Sequence, residues 1–454
     1  MQRKPSCPAA ANVRTHARAL LLFSAAVISW APVGASAERP VSDALLGTWG
    51  GIRPALLNEG VRLDASYTGE RAANLAGGTG TGSVYLDLSE LRLTLDGNRL
   101  LGWNGTTGFV HALRAHGGNP SALAGDAQGV SNIAPGNVTR LYEAWVQQNF
   151  AHEQLSLLAG RYDLNSEFYV LQSAGLFLNS SFGLGPEFST TGQGGPSIYP
   201  DTAVGARIGA RPLPSLVVRM AVLNGVPVNV PRADGSTGIR RNGDGWLLVG
   251  EAAVYSSRVD AADADADGQP QSRRQRLGRA AMNFGRDGKL AFGVWHYTGS
   301  FDRLDATSAG GATMQEHGSS GFYAIGEKVV HRDPQNSARE VKVFLQLGVG
   351  DQAAFRFARY VGSGVTFAGY IPNRAADEFG IAFASARNGS PYIDSERRQG
   401  RNPEPAETTI ELTYLAPVRS WLSLQPSLQY VVNPGTDPAR GNATVALLRF
   451  EITL

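Results

Sequence analysis

Alternation of apolar and polar residues is the feature that most constrains the fold of this chain. In the stretch WLSLQPSLQY (421–430), every second residue is apolar, and the residues between them are mostly serine and glutamine. Successive side chains of a strand point to opposite faces. The stretch is therefore predicted to be a strand with one apolar face and one polar, uncharged face. Pro426 cannot donate to the ladder, so it predicts a bulge or a missing bond.

The same alternation recurs along the chain. Clear examples are VRLDASYTGE (61–70), SELRLTLDG (89–97), REVKVFLQLGVG (339–350), ETTIELTYL (407–415) and LLRFEITL (447–454). These segments run about 9 to 12 residues, longer than the ~5–6 typical of soluble proteins but suited to a tilted membrane strand. Short and long connections alternate between them, as in bacterial outer-membrane barrels. The chain is predicted to be all-β, a transmembrane antiparallel β-barrel preceded by a short helix that contains Pro54 and ends before Gly60.

The predicted number of strands depends on whether one weak segment is counted. Seventeen segments qualify as strand candidates, and LGRAAMNFG (277–285) is the weakest of them. Single-chain bacterial barrels have an even number of strands, so we predict sixteen and leave this segment out. The fifth and sixth strands are then 155–162 and 202–210, and the longest loop, 163–201, lies between them.

The N-terminus has the pattern of an export signal. A basic region precedes the apolar run 19–33. The run is followed by Ala35-Ser36-Ala37, the A-x-A pattern of a cleavage site. The run is shorter than the ~20 apolar residues of a membrane span. We expect a cleaved signal peptide (1–37), a periplasmic segment (38–60) and a barrel domain (61–454). The only cysteine, Cys7, lies within the signal, so no disulfide is expected.

Other classes of function have little support. The net charge is +2 with no basic block, so nucleic-acid binding is not expected. The aspartates at 263, 265 and 267 resemble the start of a calcium loop, but its twelfth position is Arg274 instead of an acidic residue. The glycine-rich stretch 77–85 opens no helix, and the histidines lack metal-ligand spacing. We predict no enzyme activity, no metal site and no cofactor.

Six motifs together resemble a known family. They are GTWGGIRPALLNEGVRLDASYTGE, YEAWVQQNF, LAGRYDLNSEF, LFLNSSFGLGP, GPSIYPDTAVGARI and LQYVVNPG. In this order they are similar to the carbohydrate-selective porins of Gram-negative outer membranes. The resemblance implies a sixteen-stranded barrel through which mono- and disaccharides diffuse without ATP. It also implies that loop 163–201 folds inward and narrows the pore. The chain departs from the pattern at 256–288, which resembles an insertion, and at Leu454, where a terminal aromatic residue is common.

Sugar hydroxyls need strong hydrogen-bonding partners along the pore. Alternation predicts that five charged residues face the lumen, and three more polar residues open the long loop. The eight candidates are Glu90, Arg92, Glu143, Arg161, Arg207, Asp163, Asn165 and Glu167. The alternative is that they form structural ion pairs on a hydrated wall. Most of Trp103, Trp145, Trp295 and Trp421 are interpreted as girdle residues at the membrane interfaces, with a platform for a sugar ring as the alternative for one of them.

The sequence therefore predicts a passive sugar porin in the outer membrane. Its expected partners are sugars, outer-membrane lipid and lipopolysaccharide, and both a monomer and a homotrimer remain open. One alternative is a channel of the same fold for an organic acid or phosphate, which a predominantly basic constriction would favour. A secreted β-sandwich binding module is the other alternative.

Overall fold

The computed structural model describes residues 44–134, 136–151, 154–232, 235–239, 243–256, 287–307 and 313–454. The predicted signal peptide, the strand candidate 277–285 and the aspartates at 263–267 lie outside these residues, as does most of the predicted insertion 256–288.

Sixteen antiparallel strands form one closed barrel in the described part of the chain. They are β1 Val61–Ala76, β2 Gly82–Asp96, β3 Thr106–Gly117, β4 Val138–Phe150, β5 Leu155–Tyr162, β6 Ala203–Leu213, β7 Leu216–Asn224, β8 Trp246–Tyr255, β9 Gly288–Thr307, β10 Thr313–Asp333, β11 Asn336–Val349, β12 Phe357–Ala368, β13 Glu378–Asn388, β14 Ala406–Arg419, β15 Leu422–Val432 and β16 Ala443–Thr453. Each strand pairs with the next, and β1 pairs with β16. The predicted sixteen-stranded barrel is confirmed, and its closure excludes the two-sheet sandwich.

Five short α-helices accompany the strands in the described ranges. They are α1 Ile52–Asn58, α2 Gly97–Leu101, α3 Ser121–Ala124, α4 Pro186–Ser189 and α5 Ser390–Arg398. Pro54 lies in the first turn of α1, and Gly60, at φ 88°, follows its end, as predicted. Arg53 of α1 donates to the Leu454 carbonyl at 2.8 Å and joins the helix to the end of the chain. No helix among the described residues is long and apolar enough to span a membrane.

The stretch WLSLQPSLQY shows how the two faces of the barrel differ. The side chains of Leu424, Leu428 and Tyr430 are exposed on the outer face, whereas Gln425, Ser427 and Gln429 are buried inside. The pairing of β15 with β14 passes from Ser427–Thr413 to Leu424–Ala416 without a register shift. Pro426 therefore interrupts the pairing with β14 without forming a bulge, and it remains paired with Leu448 on β16.

A bulge between β3 and β4 changes which residues face inward. His111 pairs with Glu143, but the neighbouring Ala112 pairs with Leu141, so Tyr142 is the extra residue. A bulge interrupts the strict alternation of faces. Tyr142 and Glu143 are consequently both buried inside the barrel, although they are adjacent in sequence.

Candidate functional site

Loop 163–201 is joined to the inner wall of the barrel through its own backbone. Three inward-facing glutamates on the wall accept hydrogen bonds from backbone N–H groups of the loop. The contacts are Tyr169 N to Glu251 at 2.9 Å, Gln172 N and Ser173 N to Glu327 at 3.1 and 2.8 Å, and Leu178 N and Asn179 N to Glu411 at 2.7 and 2.9 Å. Bonds to a charged acceptor are stronger than neutral ones. The loop is thus held at three separated strands, β8, β10 and β14.

The wall also donates to carbonyl groups of the loop. Such contacts are Lys289 Nζ to Val170 O at 2.8 Å, Gln346 Nε2 to Phe182 O at 3.0 Å, Tyr360 Oη to Ser181 O at 2.9 Å and Gln425 Nε2 to Leu176 O at 2.8 Å. Gln429 donates similarly to Val130 of the β3–β4 connection at 2.8 Å. The polar face of WLSLQPSLQY therefore faces inward as predicted, but it largely holds loops instead of forming a bare pore wall.

A buried ion pair joins the start of the loop to the wall. Arg207 on β6 donates to both carboxylate oxygens of Glu167, at 2.8 and 2.9 Å. Tyr162 Oη donates to Glu167 at 2.6 Å, and Arg219 lies 3.7 Å away. The side chains of Glu167 and Arg207 are each 1% exposed, so this cluster is sealed behind the loop.

A cavity of about 230 Å³ lies between the loop and the part of the wall formed by β14–β16 and β1–β4. Its charged lining residues are Glu90, His111, Asp163, Arg449 and Glu451. Its apolar lining comes mainly from the loop, through residues that include Leu171, Phe177, Phe182 and Leu184. The cavity is thus two-sided, with a polar wall opposite an aromatic and aliphatic surface.

The polar side of the cavity is fixed by contacts among its own charges. Glu90 forms an ion pair with Arg92 at 2.6 Å, and His111 lies 3.2 Å from Glu90 and 3.5 Å from Glu143. Tyr142 Oη donates to Asp163 at 2.6 Å, and Arg449 forms a 2.6 Å ion pair with Glu70. These side chains present donors and acceptors at set positions. No group of three or more His, Cys, Asp or Glu side chains that could hold a metal ion occurs among the described residues.

Seven of the eight predicted site residues fall into three groups. Glu90, Asp163 and Asn165 line the cavity. Arg92 and Glu143 support that lining through Glu90 and His111. Glu167 and Arg207 form the sealed ion pair described above, which matches the alternative of a structural ion pair.

The predicted inward orientation of Arg161 is wrong. On β5 the side chains of Leu158 and Tyr162 are buried inside, and Leu157 is exposed outside. Arg161 pairs with Ala144 and Val204 and shares their outer face. Its guanidinium donates to Thr202 Oγ1 at 2.8 Å.

The girdle interpretation is wrong for two of the four tryptophans. Trp145 and Trp295 are buried inside the barrel, where Trp145 stacks on Phe109 and Trp295 on Phe188 with ring centroids 5.0 and 5.1 Å apart. These inward aromatic rings fill the barrel between the wall and the loop. Alternation alone did not separate an apolar inner face from an apolar outer face.

Sequence reasoning did not predict several polar and charged lining residues, among them His111, Tyr142, Arg449 and Glu451. Arg449 and Glu451 do alternate with apolar residues in β16, so the pattern could have identified them. His111 lies between inward-facing Phe109 and Leu113, and nothing in that run distinguishes it as a pore residue.

Comparison with known proteins decides the family. The family model described as carbohydrate-selective porin, OprB family, matches residues 81–454. The chain belongs to this porin family. Over 482 residues this porin is 25% identical to Porin B of Pseudomonas aeruginosa, and the match covers 99% of both chains.

Solved structures agree with the fold. The porin is similar to the high-pH structure of Pseudomonas putida OprB, with a TM-score of 0.76, 22% identity and coverage of 92% of this chain and 99% of that chain. The low-pH structure of the same protein gives a TM-score of 0.55 at 18% identity, with coverage of 92% and 100%. With the family model and the Porin B relative, the chain is an outer-membrane carbohydrate porin. Its short β4–β5, β6–β7 and β14–β15 turns mark the periplasmic end of the barrel.

Proposed function

We propose that sugars cross the outer membrane through the cavity between loop 163–201 and strands β14–β16 and β1–β4, and that the loop sets its width. The two-sided lining carries this proposal. A sugar ring has hydroxyl groups around its edge and apolar C–H groups on its faces. The charged side of the cavity supplies donors and acceptors for the hydroxyls. Val170, Ile198 and Tyr199, which are partly exposed in the lining, supply a surface for the ring faces.

The signs of the lining charges favour a neutral solute. Among the described residues, the carboxylates of Glu90, Asp163 and Glu451 line the cavity, compared with the single guanidinium of Arg449 and the imidazole of His111. An excess of carboxylates repels phosphates and organic acids, so the basic constriction that an anion channel needs is missing from this lining. Exchange with water keeps each sugar contact weak enough for release.

The fastening of the loop supports its role in setting the width. Hydrogen bonds from its backbone N–H groups to Glu251, Glu327 and Glu411 restrain the loop at three points. A segment held in this way keeps a constant distance from the opposite wall. Passage is then diffusion through a shaped opening, with no catalytic step.

Flux through proteoliposomes tests the choice of solute. Glucose and gluconate have similar size but differ in charge. We expect glucose to enter faster than gluconate, and faster than through a general porin of similar conductance. Faster entry of gluconate would replace the sugar pathway with an anion pathway.

Sugar block of ion current tests the location of the pathway. Combining Glu90→Gln with Asp163→Asn removes two lining charges with little change in volume, and we expect sugar block to weaken several-fold. Arg161→Ala, on the outer face, is the matched control and should leave block unchanged. Unaltered block in the double variant would move the pathway elsewhere in the lumen.

A further inference from the structure

Two arginines face each other on the outer surface of the barrel. Arg359 on β12 pairs directly with Arg387 on β13, and both side chains are exposed. Neither guanidinium has a hydrogen bond or ion pair within the part of the chain that the structure describes. Like charges directly opposite each other destabilise a sheet. An anion bound between them would remove this repulsion.

The position of the pair along the barrel indicates where that anion lies. Toward the periplasmic end of the same two strands, Phe367 and Phe379 stack with ring centroids 4.9 Å apart. Each phenylalanine lies eight positions from its arginine along the strand. At a rise of ~3.3 Å per residue and a tilt of ~40°, the pair lies roughly 20 Å above the phenylalanines. This distance is close to the ~25 Å height of the apolar band of such barrels.

The surface between the two levels is suited to acyl chains. Val361, Ile381 and Phe383 are exposed on this face. The hydroxyls of Ser385 and Thr408, just below the arginines, bond to each other at 2.9 Å. The arginines thus stand at the extracellular edge of an apolar surface, at the level of outer-leaflet head groups.

Two other arginines lie near the same edge of the barrel. Arg71 on β1 and Arg114 on β3 are also exposed near the extracellular ends of their strands. The acidic residue near them, Asp87, lies 3.8 Å from His116. Basic residues at a membrane surface attract anionic head groups, so this edge has the sign that binds them.

We propose that Arg359 and Arg387 bind a phosphate group of lipid A, the membrane anchor of lipopolysaccharide, in the outer leaflet. Guanidinium groups bind phosphate oxygens with two parallel hydrogen bonds each. The phosphate neutralises the pair, and the acyl chains of the lipid lie along Val361 and Phe383. The site is on the outer face and is separate from the sugar pathway.

Binding of diphosphorylated lipid A to the purified porin in detergent, followed by native mass spectrometry, tests the site. Arg359→Gln combined with Arg387→Gln should weaken binding roughly tenfold or more, since each surface arginine contributes about a factor of five. The matched control, Arg397→Gln with Arg419→Gln, removes two exposed arginines from α5 and from the periplasmic end of β14, and should bind normally. Equal weakening in both variants, or in neither, would overturn the proposal.

Two further arms identify the ligand chemistry. Lipid A without phosphates should bind equally to the wild-type porin and to the double variant. Inorganic phosphate should compete only at far higher concentration than lipid A. Competition by phosphate as effective as that by lipid A would make this a simple anion site and overturn the lipid assignment. Sugar flux of the double variant should match wild type, which separates this test from that of the sugar pathway.

The temperature of unfolding gives an independent test, because Arg387→Gln should shift it in opposite directions without and with lipid A. In lipid-free detergent, Arg387→Gln relieves the repulsion and should raise the temperature of unfolding. With lipid A present, the same variant should unfold at a lower temperature than wild type. A shift in the same direction under both conditions would contradict phosphate binding between the two arginines.

Discussion

Arg207 on the barrel wall and Glu167 in the loop form a bidentate ion pair, with both donor–acceptor distances below 3 Å. The pair is inaccessible to water and joins the loop to β6 close to the point where the loop leaves β5. Removing one partner of a buried pair leaves the other charged and unpaired, which is more damaging than replacing both. The position of the loop therefore depends on keeping the two charges together.

Arg207→Ala should destabilise the porin by about 3–5 kcal/mol, because Glu167 keeps its buried charge without its bidentate partner. We also expect the released loop to raise single-channel conductance. Unfolding in urea, followed by heat-modifiable gel mobility, measures the first effect, and bilayer recording measures the second. The control replaces both members, Arg207→Met with Glu167→Leu, and should be far less destabilised. Equal losses of unfolding free energy in the two variants would show that packing, not the unpaired charge, causes the destabilisation.

Glu411→Ala should loosen the middle of the loop. Glu411 accepts hydrogen bonds from the backbone N–H groups of Leu178 and Asn179, at 2.7 and 2.9 Å. Without it, two buried donors lose their acceptor, so we expect noisier current and weaker sugar block. Glu340→Ala is the control, because Glu340 contacts Lys342 and Arg332 on the wall. A quiet channel with normal block in Glu411→Ala would mean that the remaining contacts hold the loop without it.

Glu187 on α4 predicts a pH dependence. Its carboxyl group is buried, and one oxygen accepts from Tyr169 Oη at 3.1 Å, whereas the other has no hydrogen-bond partner among the described residues. Burial raises the pKa of Glu187 to about 8, from an ordinary value of 4.5. Between these values the folded protein keeps a proton that the unfolded chain has lost. The contribution of Glu187 to the free energy of unfolding is therefore fully present below about pH 4.5. It is lost as the pH rises to about 8, and above that the free energy of unfolding no longer changes with this group.

Urea unfolding between pH 5 and pH 9 checks this dependence. Glu187→Gln removes the titration and should flatten the decline. Glu396→Gln on α5 is the control, because the hydrogen bond from Arg401 lowers the pKa of Glu396 and places its titration below this range. If Glu187→Gln retains the wild-type decline, another group is responsible.

The sequence predicted the barrel better than it predicted the site. Alternation and loop lengths sufficed for sixteen strands, because the two faces of each strand meet different surroundings. Alternation is local, however, and the bulge at Tyr142 breaks it at the edge of the cavity. Arg161 shows a second difficulty. A charged residue is expected to face the lumen, but on β5 the inward positions are those of Leu158 and Tyr162, so Arg161 faces outward.

The contacts that hold the loop could not be predicted from local patterns. Leu178 and Glu411 are 233 residues apart, and the bond involves a backbone group that every residue type except proline possesses. No motif records such a pair. In the sequence, nothing distinguishes Glu251, Glu327 and Glu411 from other acidic residues within strand segments.

The loop is held to the barrel wall through its backbone, so the amino-acid sequence of the loop can vary. Because the wall glutamates bind peptide N–H groups, substitutions of the loop side chains that line the cavity do not remove these bonds. One scaffold can therefore present different linings at the same position, so that a library limited to residues such as Leu171, Phe177 and Leu184 could yield porins with new sugar preferences while the barrel and the course of the loop stay the same.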